Sequence, residues 1–292
     1  MAGAAIRSLV PVFPRRHPPR DPIFIVGSPR SGTSVLFEVL DRSSALASLH
    51  GESHFLWELF HASSSPDWTS HQVLPAEISR KERRAIYWMI DAISVDRRYL
   101  DKSPRNSLRL AYLHAMFPTA WFVFLKRDGR AAVSSLITGW RSDDPRFPGT
   151  RVPIALAIDG YGGQNWKYLV PPGWETYVTG HSITEVCAFQ WVAANEAILS
   201  AKQEIDPARW VEVRYEDLVR SPIEEAGQLL SRLGLPQDGR VLEYAHGLDR
   251  HVTRAVTPPR EGKWQDENAG EIEKVLTTIG PLMRRLGYDP EE

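Results

Sequence analysis

Two strand-like segments, the apolar run Ile23 to Val26 and Trp121 to Lys126 with its apolar run ending at Leu125, are each followed by small and polar residues and then by a stretch of helical spacing. Runs without polar alternation suit strands covered on both faces, as in a parallel sheet. The residues between and beyond them continue the theme. Val35, Leu36, Val39 and Leu40 predict a helix over Ser31 to Arg42, and Ile78, Ile86, Met89, Ile90 and Ile93 predict one over Glu77 to Ile93. A short strand at Tyr99 to Asp101 and a helix over 107–116 precede the second run. Later come a long helix at Ile183 to Ile205, a strand at Trp210 to Tyr215, and helices at Glu224 to Leu233 and Glu271 to Leu286. Alternation of this kind predicts an α/β fold with a parallel sheet flanked by helices and ligands at the carboxyl ends of the strands.

The stretch Arg141 to Gly180 breaks that pattern. It is dense in Pro and Gly, from Pro145, Pro148 and Pro153 to Gly173, and interleaved with Phe147, Tyr161, Trp166, Tyr168, Trp174 and Tyr177. So many rings argue against a disordered linker, and long ordered loops tend to be lids or binding loops. The expectation is an ordered insertion that either covers a substrate or packs as a flap on the domain or on a second subunit. Residues 1–21, rich in Pro and Arg, read as a flexible lead-in, leaving 22–288 as one domain.

The first apolar run enters Gly27-Ser-Pro-Arg-Ser-Gly-Thr-Ser34, a tight loop that opens a helix with hydroxyl side chains. Backbone N–H groups at such a start have no internal partner and aim at an anion, which makes the loop a phosphate cradle. The ATPase pattern Gly-x-x-x-x-Gly-Lys-Ser/Thr is met at Gly27 and Gly32, but Thr33 stands in place of the lysine and the nearby cation is Arg30, inside the loop. The second run ends at Arg127, with Asp128 in the first turn of the following helix and Ser135 about two turns further on, toward the side where Arg127 emerges. An arginine and a hydroxyl so placed can hold one phosphate together.

Charge adds little: 35 basic residues against 36 acidic ones give a net charge of −1, which suggests neither a nucleic-acid nor a membrane partner. One cysteine, Cys187, excludes an internal disulfide framework and reads as a small buried hydrophobe. The nine histidines show no metal-ligand spacing, so no metal is expected. No segment approaches the roughly 20 apolar residues of a membrane span, and the N-terminus lacks the apolar core of a signal peptide. Those features predict a cytoplasmic protein.

Arg30-Ser31-Gly32-Thr33-Ser34, together with Arg127 followed eight positions later by Ser135, resembles the sulfotransferases that use 3′-phosphoadenosine 5′-phosphosulfate (PAPS). The resemblance implies a P-loop-like fold and sulfuryl transfer to a hydroxyl or amine, with no metal. Under it, the loop residues Arg30 to Ser34 hold the 5′ end of the donor, and Arg127 and Ser135 hold the 3′-phosphate. Glu52-Ser-His-Phe55 is similar to a stretch of the heparan-type enzymes carrying the catalytic glutamate, which makes Glu52 the candidate base and His54 its partner or substitute. His50 is a weaker alternative. Asp101-Lys-Ser-Pro104 resembles a Lys-x-Pro stretch of tyrosylprotein and bacterial members, where Lys102 would approach the transferring group. Tyr215, in Tyr-Glu-Asp-Leu218, would contact the adenine, and Arg260, Gly262 and Lys263 would close over the 3′-phosphate.

Two departures qualify the resemblance. Val35 stands where cytosolic aryl members carry a Trp, and Glu261 interrupts the late Arg-Lys-Gly loop, which brings the chain nearer to the tyrosylprotein and bacterial groups. The residues also leave open a magnesium-dependent kinase with a degenerate loop, and a non-catalytic glycan- or protein-binding relative. A small molecule, glycan or lipid fits as acceptor, and a homo-oligomer stays open.

Overall fold

The computed structural model describes residues 17–147, 149–251 and 260–291. The lead-in as far as residue 16, and Pro148 of the insertion, lie outside them. Among the described residues the strands are β1 (Ile23–Val26), β2 (Leu46–Ala47), β3 (Arg98–Lys102), β4 (Trp121–Lys126), β5 (Gly149–Asp159), β6 (Tyr161–Lys167), β7 (Thr179–Ser182) and β8 (Trp210–Arg214). Five of them form one parallel sheet in the order β2-β3-β1-β4-β8.

The apolar runs lie where continuous burial demands. All four residues of β1 are fully buried. Phe24 and Val26 join Phe122 and Phe124 in the core on one face, while Ile23 and Ile25 join Val123, Leu125, Val211 and Val213 on the other. A strand with apolar side chains on both faces keeps them from water only when helices cover both, and each such side chain contributes about 1.5–3 kcal/mol on burial. Ile25 sits in register with Lys102 on one edge and Val123 on the other. After β1 the chain lays down β2 at the edge and β3 between them, then crosses to β4 and β8 on the other side, which opens a crevice at the strand carboxyl ends.

The structure redraws several predicted boundaries. The first helix spans Thr33–Leu40, because Arg30 (φ 69°) and Gly32 (φ 96°) occupy the left-handed region and hold the chain out of a helix until Thr33. The helix expected from Glu77 runs instead over Arg80–Ser94, its N-terminus set by a reciprocal Ser79–Glu82 capping box. The predicted Glu271 to Leu286 helix is two, Ala269–Glu273 and Leu276–Arg285, parted where the Val275 amide donates back to the Ile272 carbonyl in a tightened turn. Cys187 is buried and free.

The insertion needs the largest correction, for it is mainly strand rather than loop. β5 and β6 form an antiparallel hairpin, and β7 adds to β5 in parallel, giving the order β6-β5-β7. Thr150, Val152, Leu156 and Ile158 point inward while their neighbours are exposed, the period-two alternation of a half-buried strand. Pro153 reads as a breaker, yet it sits where the β5–β6 register shifts between Arg151 and Leu156, a site at which a missing N–H is tolerated. Trp166 and Trp174 pack edge to face within the main core.

Candidate functional site

The predicted site residues are carried on the carboxyl ends of adjacent strands: Arg30 to Ser34 after β1, Lys102 on β3, Arg127 after β4 and Tyr215 after β8. They form two linked groups.

The first group centres on Arg30. Its left-handed backbone turns its carbonyl toward Arg127, whose Nη1 donates to it at 2.8 Å, while its own Nε donates to Ser135 Oγ at 3.1 Å. Arg127 and Ser135 therefore meet through Arg30. Helix geometry accounts for Ser135: Asp128 caps the Gly129–Arg141 helix by accepting from the Arg130 amide, and residue 135 then returns to the side of the strand ends. Burial pulls the Arg30 guanidinium below its ordinary pKa, with Arg127 adding to the effect. Burial also lowers the Lys263 ammonium, and Arg127, Arg260 and Arg30 lower it further. Positive charges gathered around Arg30 and Lys263 make a region that favours an anion. Arg260 is also paired with Asp266 at 2.9 Å, and Gly262 (φ 71°) turns the chain into the Lys263–Glu267 helix.

Tyr215 is nearly buried, with 5% exposure. The Arg127 guanidinium lies 4.2 Å from its ring centre, and the ring edge fills the space that a side chain at Gly32 would need. That position supports the loop. No residue but glycine suits position 32, where φ is positive and the ring is already in contact.

The second group centres on Glu52. The Lys102 ammonium is 2.5 Å from Glu52 Oε1 and donates to Ser34 Oγ at 3.0 Å, and His54 Nε2 is 2.6 Å from Glu52 Oε2. His54 Nδ1 lies 3.1 Å from Ser103 Oγ. Burial acts to raise the Glu52 pKa, but the His54 hydrogen bond and the Lys102 charge outweigh it and hold the carboxyl well below the usual range. Lys102 is only 2% exposed and faces Glu52, while its sequence neighbour Asp101 turns the other way, accepting from Trp57 Nε1 at 2.9 Å and Asn106 Nδ2 at 2.8 Å. Burial raises the Asp101 pKa. Through Trp57 and Asn106 this carboxyl ties the segment bearing Glu52 to the segment bearing Lys102. Ser53, not Glu52, stands at the N-cap of the His54–Trp57 helix. His50 is exposed and paired with Asp41 at 2.7 Å, apart from this group.

Three residues near the site were not legible beforehand. Ser103 is buried against His54, and Phe147, at the base of the hairpin, lies 5.2 Å from the Arg30 guanidinium. Tyr168, at the other leg of that base, has a left-handed backbone (φ 64°) and raises the Arg30 pKa by proximity. Ser103 was visible as part of Lys-Ser-Pro, but nothing in its spacing pointed to His54. Among the described residues, no cluster of three or more His, Cys, Asp or Glu could hold a metal ion, and no helix is long and apolar enough to cross a membrane.

A parallel sheet with cation-bearing loops at its carboxyl ends and Thr33 in place of a loop lysine makes a P-loop-like fold whose site departs from that of the P-loop ATPases. The chain belongs to the sulfotransferase family, whose model matches residues 22–156 and 167–239. The skipped segment falls on the end of β5 and most of β6, so the unmatched part of the insertion is the hairpin tip. Arg260, Gly262 and Lys263 lie beyond the matched residues. Protein-tyrosine sulfotransferase A of Caenorhabditis elegans is 22% identical over 289 residues, covering 92% of this chain and 67% of the relative. Protein-tyrosine sulfotransferase 2 of Gallus gallus is 26% identical over 66% of this chain and 47% of its own length. The chain thus spans about two thirds of one relative and about half of the other. Sulfotransferase STF9 from Mycobacterium avium superposes with a TM-score of 0.59 at 15% identity, over 98% of this chain and 81% of that one. The sulfotransferase domain from the curacin biosynthetic pathway gives 0.54 at 17%, over 94% and 99%.

Proposed function

We propose that this chain, as one domain over 22–288, transfers a sulfuryl group from PAPS to a hydroxyl or amine acceptor by in-line displacement. The observation that carries the reading is the convergence of Arg30, Arg127, Ser135 and Lys263 beside the Glu52–Lys102 pair. One region suits an adenosine nucleotide with an anionic group at each end and the other suits proton transfer. Retinol dehydratase, a structural neighbour at 13% identity and TM-score 0.50, was solved with androsterone and the inactive cofactor PAP, and the proposal extends that nucleotide to this chain.

In the proposed reaction the acceptor oxygen or nitrogen forms a bond to sulfur as the bond from sulfur to the 5′-phosphate oxygen breaks, releasing 3′-phosphoadenosine 5′-phosphate (PAP). Glu52 takes the acceptor proton, and Arg30 and Lys102 offset charge on the transferring and leaving oxygens. While Lys102 is paired with Glu52 the carboxylate is a weak base. Turning the ammonium toward sulfuryl oxygens removes the Lys102 influence on the pKa and leaves the His54 hydrogen bond to oppose the upward pull of burial. Arg127, Ser135, Arg260, Gly262 and Lys263 hold the 3′-phosphate, and Ser31 to Ser34 hold the 5′ end. His54 and Tyr215 act in support. Cytoplasmic residence is part of the proposal and is tested by cell fractionation.

Calorimetric titration with PAP, ADP and Mg-ATP tests the reading, followed by an acceptor screen with labelled PAPS. Tighter binding of PAP is expected. Preference for Mg-ATP would favour a kinase, and loss of all nucleotide binding would favour a non-catalytic relative.

A further inference from the structure

The acid–base group extends one residue further than the charged pair. His54 presents both ring nitrogens to partners: Nε2 to Glu52 Oε2 at 2.6 Å and Nδ1 to Ser103 Oγ at 3.1 Å. A carboxylate only accepts, so Nε2 must carry the proton on that side. The Nδ1 side depends on Ser103, whose side chain is fully buried. Among the described residues, its hydroxyl has no hydrogen-bond partner other than His54. Were Nδ1 to donate, the serine proton would be buried without an acceptor, a cost that donation by the serine avoids.

We propose that Ser103 is a positioning residue that donates its hydroxyl proton to Nδ1 of His54, fixing a neutral ring with its proton on Nε2 so that His54 anchors Glu52 and leaves Glu52 as the base. The inference rests on the proposed role of Glu52 and settles which member of the pair takes the acceptor's proton. Chain geometry makes the arrangement economical. Ser103 directly follows Lys102, so the end of β3 delivers partners to both carboxylate oxygens: Lys102 reaches Oε1 itself, and Ser103 orients the ring that reaches Oε2. The Asn106 amide donates to the Ser103 carbonyl at 3.0 Å, which holds the serine backbone in place independently of its hydroxyl.

The test is nitrogen-15 NMR of His54 in the ligand-free protein, assigned with His54→Gln, alongside kinetics of Ser103→Ala and Ser103→Thr. The expected wild-type spectrum has a protonated Nε2 and a bare, hydrogen-bonded Nδ1. Ser103→Ala should shift the Nδ1 signal and lower kcat about tenfold, the consequence of about 1.4 kcal/mol of lost hydrogen bonding, with PAP affinity unchanged. Ser103→Thr, which keeps the hydroxyl, should restore both. A wild-type ring protonated on Nδ1, or a ring spectrum indifferent to Ser103→Ala, overturns the inference. Failure of the wild-type protein to bind PAP strikes the sulfotransferase reading instead and leaves the NMR result standing, so the two failures are separable. If Ser103→Ala does not fold, the wild-type spectrum alone decides.

Discussion

The parallel sheet and the hairpin sheet are secured in different ways. β1 has strands on both edges and cores on both faces, so the loop after it can hold two left-handed residues one position apart, Arg30 and Gly32, without losing its shape. The hairpin has one buried face and meets the Gly129–Arg141 helix at its base, where Lys167 Nζ donates to the Gly139 carbonyl at 2.9 Å and Tyr168 rests on Gly139. The proposed anion-facing chemistry is built on the first. The second touches it through Phe147 and Tyr168, while its tip is the part that the family model skips. Strain is thus placed where the surroundings over-determine it, and variation where they do not.

The strongest way to break this division of labour is Glu52→Gln, expected to reduce turnover by about 10² to 10⁴ while PAP affinity stays within a factor of about two. Because Lys102 is buried against Glu52, thermal unfolding of the variant should be recorded beside its kinetics. Equal losses in turnover and nucleotide affinity would mean that the two groups are one site. Arg127→Ala comes next, with PAP binding weakened roughly 10- to 100-fold by calorimetry through loss of a charge-assisted contact. An unchanged affinity would remove Arg127 from the phosphate site.

Gly139→Ala probes the hairpin base. The new methyl group would occupy the place of the Tyr168 hydroxyl, and overpacking of this kind costs about 1–3 kcal/mol, read as a lower unfolding midpoint. Acid stability gives a smaller effect. The folded-state pKa of Glu52 is depressed, so its contribution is present above the unfolded value near 4.5 and fades as pH falls through the folded value. Comparing unfolding midpoints across that range, the wild type should converge on Glu52→Gln as the medium becomes more acidic. Smallest of all, Ile154→Ser on the exposed face of β5 should change stability by less than about 0.5 kcal/mol.

The parallel sheet was legible because its signal is local: four buried apolar residues in a row admit few readings. The sequence also placed Glu52, His54, Lys102 and the Arg30 loop, through motif resemblance, in segments that the structure brings together. The hairpin escaped because Pro153 and paired glycines look like breakers unless their register partners are known, and register is a long-range property. Ser103 escaped for a related reason. Its partner lies 49 residues away, and it is the parallel pairing of β2 with β3 that sets the two following segments side by side.

The contact between Tyr168 and Gly139 also bears on how this hairpin could be transplanted. Its phenol fits α-helical backbone stripped of a side chain, and Lys167 reaches a carbonyl of the same residue, so the exchangeable unit is not the continuous segment between residues 141 and 180 alone. A chimaera receiving this hairpin must inherit its docking notch as well, and a host with a bulkier residue there would leave the graft unseated.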